Sequence, residues 1–179
     1  LAALTTQLPT DPNDSAGFHV EGRSLSNPED APTADRFGVT PDYFRTVRIP
    51  VMRGRGFTPR DNASAPRVAI INETAARQLF PGEDPLGKRI SLGPSTDPPR
   101  TIVGIVGDVR HRGLAEPVTY QAYVPLAQFG DWPVRVVVRS PDPSAAVAGR
   151  IRAAVADLDR TQVAHEIVSF EGVVNATLA

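Results

Sequence analysis

A stretch near the middle of the chain, residues 67–90, constrains the fold more than any other part of the sequence. It opens with the unbroken apolar run VAII at residues 68–71, which is typical of a strand covered on both faces. Asn72 can cap the helix that follows, and Pro81 with Gly82 ends that helix. A second strand is predicted at residues 88–92. The sequence therefore predicts a strand–helix–strand unit against which the other segments must pack.

The same stretch contains GEDPLGKR at residues 82–89, a near-match to the phosphate-binding loop G-x-x-x-x-G-K-[ST]. Arg89 occupies the place of the hydroxyl residue that holds magnesium, and Glu83 and Asp84 would repel a phosphate. The order of elements is also reversed, because a phosphate loop follows a strand and opens a helix, whereas this segment follows a helix and leads into a strand. We therefore interpret the segment as a structural turn and expect no bound nucleotide.

Further strands are predicted on both sides of this unit, at residues 1–8, 17–23, 34–39, 101–106 and 120–124. The strand at 101–106 is expected to pair antiparallel with the strand at 88–92. Thr40 is predicted as the N-cap of a short helix that begins at Pro41. Residues 49–57 contain one proline and two glycines, which favours an irregular or edge segment there.

The chain after Gly130 has the pattern of a β-α-β unit. Val134, Val136 and Val138 alternate along a strand, and Asp142 is predicted to cap the following helix. The apolar stripe of that helix comprises Val147, Ile151, either Ala154 or Val155, and Leu158. A strand at residues 162–168 and a last helix from Ser169 complete the pattern. Strands and helices together indicate an α+β fold.

Composition excludes several classes of function. The 179 residues include no cysteine, so thiolate catalysis and cysteine-based metal sites are ruled out. A net charge of -1 provides no basic field for nucleic acid. No run approaches the roughly 18 apolar residues that a membrane-spanning helix needs. The N-terminal residues lack the basic region of a signal peptide, and we expect the sequence to be a domain excised from a longer protein.

The remaining candidate sites are weak. Gly104 and Gly107 lack the third glycine and the helix of a dinucleotide loop. Asp108 and His111 could both bind a metal, but no third ligand can be named. A serine hydrolase would need a nucleophile motif such as G-x-S-x-G, which is missing from the sequence. We therefore expect no catalytic residues, no cofactor and no metal.

Arg110, His111 and Arg112 form a small basic tip on a polar loop. Such a tip is suited to contact either a protein partner or lipid headgroups, although a solvated loop explains the same residues. These three residues are the candidate partner contact of the chain.

Four segments occur in an order that resembles a known family: VTPDYFRTVRIPVMRGRGFTPRD (residues 39–61), VAIINETAARQLFPGEDPLGKRI (68–90), TIVGIVGDVRHRGL (101–114) and AYVPLAQ (122–128). Together they resemble the extracytoplasmic core domain of MacB/FtsX-type ABC transporter permeases. The resemblance covers most of the chain, and the ordered set of segments is more specific than any one of them.

The resemblance implies a domain that lies between the first and second transmembrane helices, outside the cytoplasmic membrane of the cell. It also implies a porter-like β-α-β subdomain split by an inserted, β-rich subdomain. In this chain the porter-like part would comprise residues 1–46 and 127–179, with its N-terminal portion truncated. The inserted part would comprise residues 47–126.

The resemblance further implies a non-catalytic role, in which the domain transmits ATP-driven conformational change to export a substrate or to actuate a partner. The implied partners are the protein's own transmembrane helices and a cytoplasmic ATPase subunit or domain, with a homodimer and a periplasmic adaptor as further candidates. The alternative hypothesis is a periplasmic ligand-binding module whose ligand occupies a cleft between two subdomains.

Overall fold

Nine strands and three α-helices are present in the residues that the computed structural model describes, which are 1–8, 14–23, 27, 30–94, 96–110, 116–130, 132–158 and 167–169. In chain order they are β1 (Ala2–Thr5), β2 (Ser15–Val20), β3 (Thr33–Val39), α1 (Tyr43–Val47), β4 (Val51–Gly54), β5 (Val68–Asn72), α2 (Glu73–Leu79), β6 (Arg89–Leu92), β7 (Arg100–Val106), β8 (Tyr120–Pro125), β9 (Arg135–Val138) and α3 (Ser144–Leu158). A 3-10 helix, Leu126–Gln128, follows β8. The chain divides into two compact units, Leu1–Val138 and Arg139–Ala179, and the strands that the structure describes all lie in the first.

Six of the strands form a closed barrel in the order β2-β6-β7-β5-β8-β3. The ring closes because β2 pairs with β6 through its second half and with β3 through its first half. β3 and β8 are parallel, as are β5 and β7, whereas the other pairs in the ring are antiparallel. β1 and β9 extend the sheet beyond β3, and β4 pairs with β7. The mixed sheet with helices confirms the α+β prediction.

The alternation of side chains along the barrel strands produces two cores. One cluster fills the barrel, and α2 contributes Ala75 to it; its buried members include Phe18, Ala34, Ala69, Ile71, Phe80, Ile90, Leu92, Ile102, Ala122 and Val124. The second cluster packs the outer face of the same strands against α1 and includes Phe37, Tyr43, Phe44, Val68, Ile70 and Tyr123. Every residue of β5 is buried, which confirms the predicted strand with two covered faces.

Asn72 joins β5 to α2 and is fully buried. Its Oδ1 accepts hydrogen bonds from the backbone N–H groups of Ala75 at 3.2 Å and Gln121 at 3.0 Å. Its Nδ2 donates to Asp108 Oδ1 at 2.7 Å and to the carbonyl oxygen of Thr119 at 3.0 Å. The predicted helix cap is confirmed, and the same side chain also holds β8 and the segment that precedes it.

Several predicted elements differ in detail. Thr40 is not the N-cap of α1, which begins at Tyr43 after Asp42. The Thr40 hydroxyl instead accepts a hydrogen bond from the backbone N–H of Leu4 at 2.9 Å. This bond forms because β1, which is antiparallel to β3, extends beyond the carboxyl end of β3 and lies beside Thr40. The predicted strand at 17–23 begins two residues earlier and ends at Val20.

The edge strand predicted within residues 49–57 is confirmed as β4, and the antiparallel pairing of 88–92 with 101–106 is confirmed as β6 with β7.

In the second unit, Val147, Ile151 and Val155 are half-buried on α3, whereas Ala154 is exposed. The stripe therefore runs through Val155. The strand at 162–168 and the last helix lie largely outside the described residues.

The loop between β4 and β5 is held by the carboxylate of Asp61, which is buried. Both of its oxygens accept from Arg55 at 2.8 Å, and Oδ2 also accepts from the Thr58 backbone N–H at 2.8 Å. The hydrogen bonds from Arg55 lower the pKa of Asp61 and outweigh the opposing effect of burial.

The Asn72 junction predicts a large loss of stability on truncation. Asn72→Ala should lower the free energy of unfolding by about 3 kcal/mol, because it removes a helix cap and leaves buried polar groups without partners. Urea denaturation followed by circular dichroism measures the change. The matched control is Asn62→Ala, at an exposed asparagine, which should change the value by less than about 0.5 kcal/mol. Equal losses in the two variants would contradict the role assigned to Asn72.

The Asp61 anchor predicts a pH-dependent loss. Because the pKa of Asp61 is lower in the folded state, its charged form stabilises the fold above the unfolded-state pKa, and this contribution disappears as pH falls through the folded-state pKa. Asp61→Asn should therefore cost about 2 kcal/mol at pH 7. The difference from the wild type should narrow below about pH 4.

Urea titrations at pH 7 and pH 3 measure this effect. The control is Asp42→Asn, whose exposed ion pair with Arg45 should contribute less than about 0.5 kcal/mol at either pH. A loss in Asp61→Asn that is equally large at both pH values would refute the electrostatic explanation.

Candidate functional site

The segment that resembles a phosphate-binding loop is a turn whose charged groups bind one another. Lys88 Nζ lies 2.9 Å from Glu83 Oε2, and Arg23 contacts the other oxygen of Glu83 at 2.6 Å. The hydrogen bond from Lys88 is the main cause of the lowered pKa of Glu83. The backbone N–H of Gly87 donates to Ile102 in β7 rather than facing an open loop. The lysine and this amide are therefore engaged within the protein, which supports the interpretation as a structural turn.

Gly104 lies inside β7 for a steric reason. A Cβ atom built on this residue would come within 2.3 Å of the Arg55 carbonyl oxygen, so the chain after β4 can approach β7 only because the side chain is missing. The glycine belongs to the packing of β4 on β7, as expected for a glycine within a strand.

Asp108 follows β7 and binds the N-terminal end of α2. Its Oδ1 accepts from the Thr74 backbone N–H at 2.9 Å, and its Oδ2 accepts from the Thr74 hydroxyl at 2.7 Å, in addition to the bond from Asn72. His111, its proposed metal partner, lies outside the described residues. Among the described residues, no group of three His, Asp or Glu side chains could hold a metal ion.

Residues 107–119, here called the basic loop, include the three predicted contact residues, and the structure describes the two ends of this loop, 107–110 and 116–119. The carbonyl oxygen of Val109 accepts from Gln121 Nε2, and the Thr119 hydroxyl donates to the buried Asp35 carboxylate at 2.5 Å. Arg110 is exposed and donates across the loop to the carbonyl oxygen of Glu116 at 3.4 Å. Arg112, like His111, lies outside the described residues. Both ends of the loop are thus anchored to β8 and β3.

Strand directions place the basic loop and Leu1 at opposite ends of the barrel. β1 is antiparallel to β3, with Thr5 opposite Val39, so the chain enters from the carboxyl end of β3. β8 is parallel to β3. β7 runs the other way, because it is parallel to β5, which is antiparallel to β8. The described ends of the basic loop, 107–110 after β7 and 116–119 before β8, therefore lie at the end of the barrel opposite Leu1.

A groove of about 340 Å³ lies at the carboxyl ends of β3 and β8. It is assembled from three segments, residues 39–41, 58–62 and 125–127, that are distant in sequence and carry no shared motif. Its polar side chains already have partners: the Thr40 hydroxyl accepts from Leu4, Asp61 binds Arg55, and Asn62 Oδ1 accepts from the Ser64 backbone N–H at 3.0 Å. The groove therefore presents mainly apolar surface, and sequence patterns could not have located it.

Comparison with known sequences identifies relatives among ABC transporter proteins. An ABC transporter permease of Bacillus subtilis strain 168, YvrN, is 28% identical over 128 residues, which span 67% of this chain and 31% of YvrN. The macrolide export ATP-binding/permease protein MacB of Marinobacter nauticus is 28% identical over 111 residues, or 62% of this chain and 15% of that protein. The chain thus spans about a third or less of these relatives. No helix among the described residues is both long and apolar enough to cross a membrane.

Solved structures share the fold. The periplasmic region of MacB from Actinobacillus actinomycetemcomitans superposes with a TM-score of 0.59 at 21% identity, covering 87% of this chain and 66% of that one. The extracellular domain of the transporter YknZ from Gram-positive bacteria gives a TM-score of 0.57 at 22% identity, covering 89% and 83%.

The sequence model of one family matches most of the chain, over residues 9–154. This match agrees with the order of segments that suggested the resemblance and with the fold shared by the solved structures. The chain belongs to the family of MacB-like periplasmic core domains.

Proposed function

We propose that this chain is the non-catalytic, extracytoplasmic domain of an inner-membrane ABC transporter permease, and that it transmits ATP-driven conformational change away from the membrane. The observation that carries the proposal is the placement of Leu1 and the basic loop at opposite ends of one hydrogen-bonded barrel. A transmembrane helix that precedes Leu1 would move one end of this body. The anchored loop at the other end would then move with it.

The barrel is suited to rigid transmission because it includes strands from both predicted subdomains. β2 and β3 come from residues 1–46, and β5 to β8 come from residues 47–126. These two sets of strands are hydrogen-bonded to each other along β2–β6 and β3–β8. Residues 1–46 of the predicted porter-like part, 1–46 with 127–179, and the inserted part, 47–126, would therefore move together where they meet in the barrel.

The proposed function includes the partners that the family resemblance implies. The transmembrane helices of the same protein and a cytoplasmic ATPase subunit or domain would supply the movement. Arg110, His111 and Arg112 would contact an acidic partner, such as a periplasmic adaptor, because the basic loop lies far from the end at which the chain leaves the membrane. A homodimer in the full permease would place two such loops side by side.

The alternative, a ligand-binding module, requires a cleft with converging polar groups. The groove beside β3 and β8 does join segments of the two predicted subdomains, at residues 39–41 and 58–62. Its polar side chains are, however, already bonded within the protein, as described above. The structure therefore favours transmission over recognition of a small polar ligand.

The proposed location predicts a labelling pattern. In the full permease, Ser64→Cys introduces a thiol at an exposed position of a chain that has no cysteine of its own. A maleimide that cannot cross the inner membrane should label this thiol in intact spheroplasts, after any cysteines elsewhere in the protein are replaced. The control is a cysteine in the cytoplasmic ATPase, which should react only after lysis. Protection of Ser64→Cys until lysis would reject an extracytoplasmic location.

Transmission predicts a response at the far end of the barrel. In the permease reconstituted with its ATPase, an environment-sensitive fluorophore on Glu116→Cys, an exposed position of the basic loop, should change its emission when ATP is added. The change should disappear when the ATPase carries a substitution that prevents ATP binding. Identical spectra with and without ATP, in a complex that hydrolyses ATP normally, would refute transmission to this loop.

A further inference from the structure

Arg100 is a buried cation at one end of the barrel. It is the first residue of β7, and only 6% of its surface is exposed. It lies two residues before Ile102, a member of the cluster inside the barrel, so its side chain faces the same interior. Because β7 and β8 run in opposite directions, Arg100 at the start of β7 lies at the end of the barrel where β8 ends. The 3-10 helix and Phe129 follow β8 there.

The hydrogen bonds of Arg100 are few and long. Nη1 lies 3.4 Å from Gln128 Oε1, and Nη2 lies 3.3 Å from the Gln128 carbonyl oxygen. N–H···O bonds are usually about 2.7–3.2 Å long, and bonds from a guanidinium to a carboxylate are shorter still. Among the described residues, no carboxylate lies within 4.0 Å of Arg100. A guanidinium has five N–H donors, and among the described residues only Gln128 accepts hydrogen bonds from Arg100.

The neighbouring charges leave Arg100 as the surplus cation. Arg36 is bound by both oxygens of Asp14, at 2.8 and 3.2 Å, and its guanidinium lies 5.0 Å from the centre of the Phe129 ring. Arg67 has only a loose ion pair, 3.9 Å from Asp97. Burial, followed by repulsion from Arg67, lowers the pKa of Arg100 to about 10.

An unpaired buried charge destabilises a fold unless an opposite charge compensates it. Among the described residues, Asp14 and Asp97 are the carboxylates that pair with the neighbouring arginines, and each is nearer to Arg36 or Arg67 than to Arg100. The side chain of Arg67 is 43% exposed, so the positive charge whose repulsion acts on Arg100 is itself accessible to solvent. The backbone N–H of Thr101 donates to the Arg67 carbonyl oxygen at 2.9 Å, which holds the two arginines on adjacent strands.

We propose that this end of the barrel binds a small oxyanion, such as phosphate, between Arg100 and Arg67. The planar guanidinium of Arg100 presents paired N–H donors that match two oxygens of a phosphate or carboxylate. The anion replaces the two hydrogen bonds from Arg100 to Gln128, which are weak because they are long. This site is independent of the proposed transmission role and of the basic loop.

Thermal unfolding of this chain tests the site with inorganic phosphate as the probe. Sodium phosphate at 10 mM, compared with sodium chloride at equal ionic strength and pH 7, should raise Tm by about 4 °C or more, as expected for an anion that binds only the folded state. Titration calorimetry should give one site for each chain. Arg100→Met should abolish both signals, and Arg67→Met should weaken them. Arg110→Met removes an exposed arginine of the basic loop and should leave them unchanged.

Two results would overturn the proposal. One is a wild-type Tm that is the same in phosphate and in chloride, and the other is an equal phosphate effect in wild type and Arg100→Met, which would indicate a general salt effect. If Arg100→Met does not fold, two other single variants, Arg67→Met and Arg100→Lys, are measured instead. Arg100→Lys keeps the positive charge but loses the paired N–H donors. A phosphate affinity that is unchanged in both variants would reject the site.

A second experiment distinguishes a lipid phosphate from a free anion as the ligand of this site. Vesicles of phosphatidylglycerol, compared with vesicles of phosphatidylcholine, are sedimented with the wild type and with Arg67→Met. Arg67-dependent binding to phosphatidylglycerol assigns the site to a lipid phosphate. Binding of inorganic phosphate without binding to either kind of vesicle assigns it to a free anion.

Discussion

The buried amide of Asn72 is the interaction on which the rest of this structure depends. A strand with two covered faces must end somewhere, and its terminal polar groups then need partners inside the protein. Asn72 supplies them in several directions, to α2, to β8 and to both ends of the basic loop. Since Asp108 also binds the first turn of α2, the loop and the helix are fixed by the same few bonds. A surface loop is thereby anchored to the core of the barrel.

The sequence predicts local structure well where neighbouring residues determine it. The apolar run at 68–71, the cap at Asn72 and the antiparallel pairing of β6 with β7 are all confirmed, because each depends on residues close in the chain. Thr40 has the local features of a helix cap, yet a strand that lies 36 residues earlier takes its hydroxyl. Ring closure, the groove and the setting of Arg100 arise from long-range pairing, which periodicity and composition do not encode.

Charged side chains in this protein occur in three kinds of setting, which differ in their physical consequences. Several arginines pair with carboxylates at the surface, as Arg53 does with Asp84, and such pairs contribute little to stability. Asp61 is different, because Arg55 and Thr58 hold it in a buried position and it fixes a long loop. Arg100 is different again, since it is buried without an acidic partner among the described residues. Only a charge of this last kind leaves binding capacity for something outside the chain.

The closed barrel also bears on how a domain of this family could serve a transporter. A closed ring has no free edge between its strands, so a force applied at β1 reaches β8 through continuous backbone hydrogen bonds. A catalytic or binding site would instead require side chains that are free to react. Lys88 of the segment that resembles a phosphate loop and Asp108 of the candidate metal pair are both bonded within the protein. These two residues are therefore better explained by the local structure that they hold, the turn after α2 and the N-terminal end of α2.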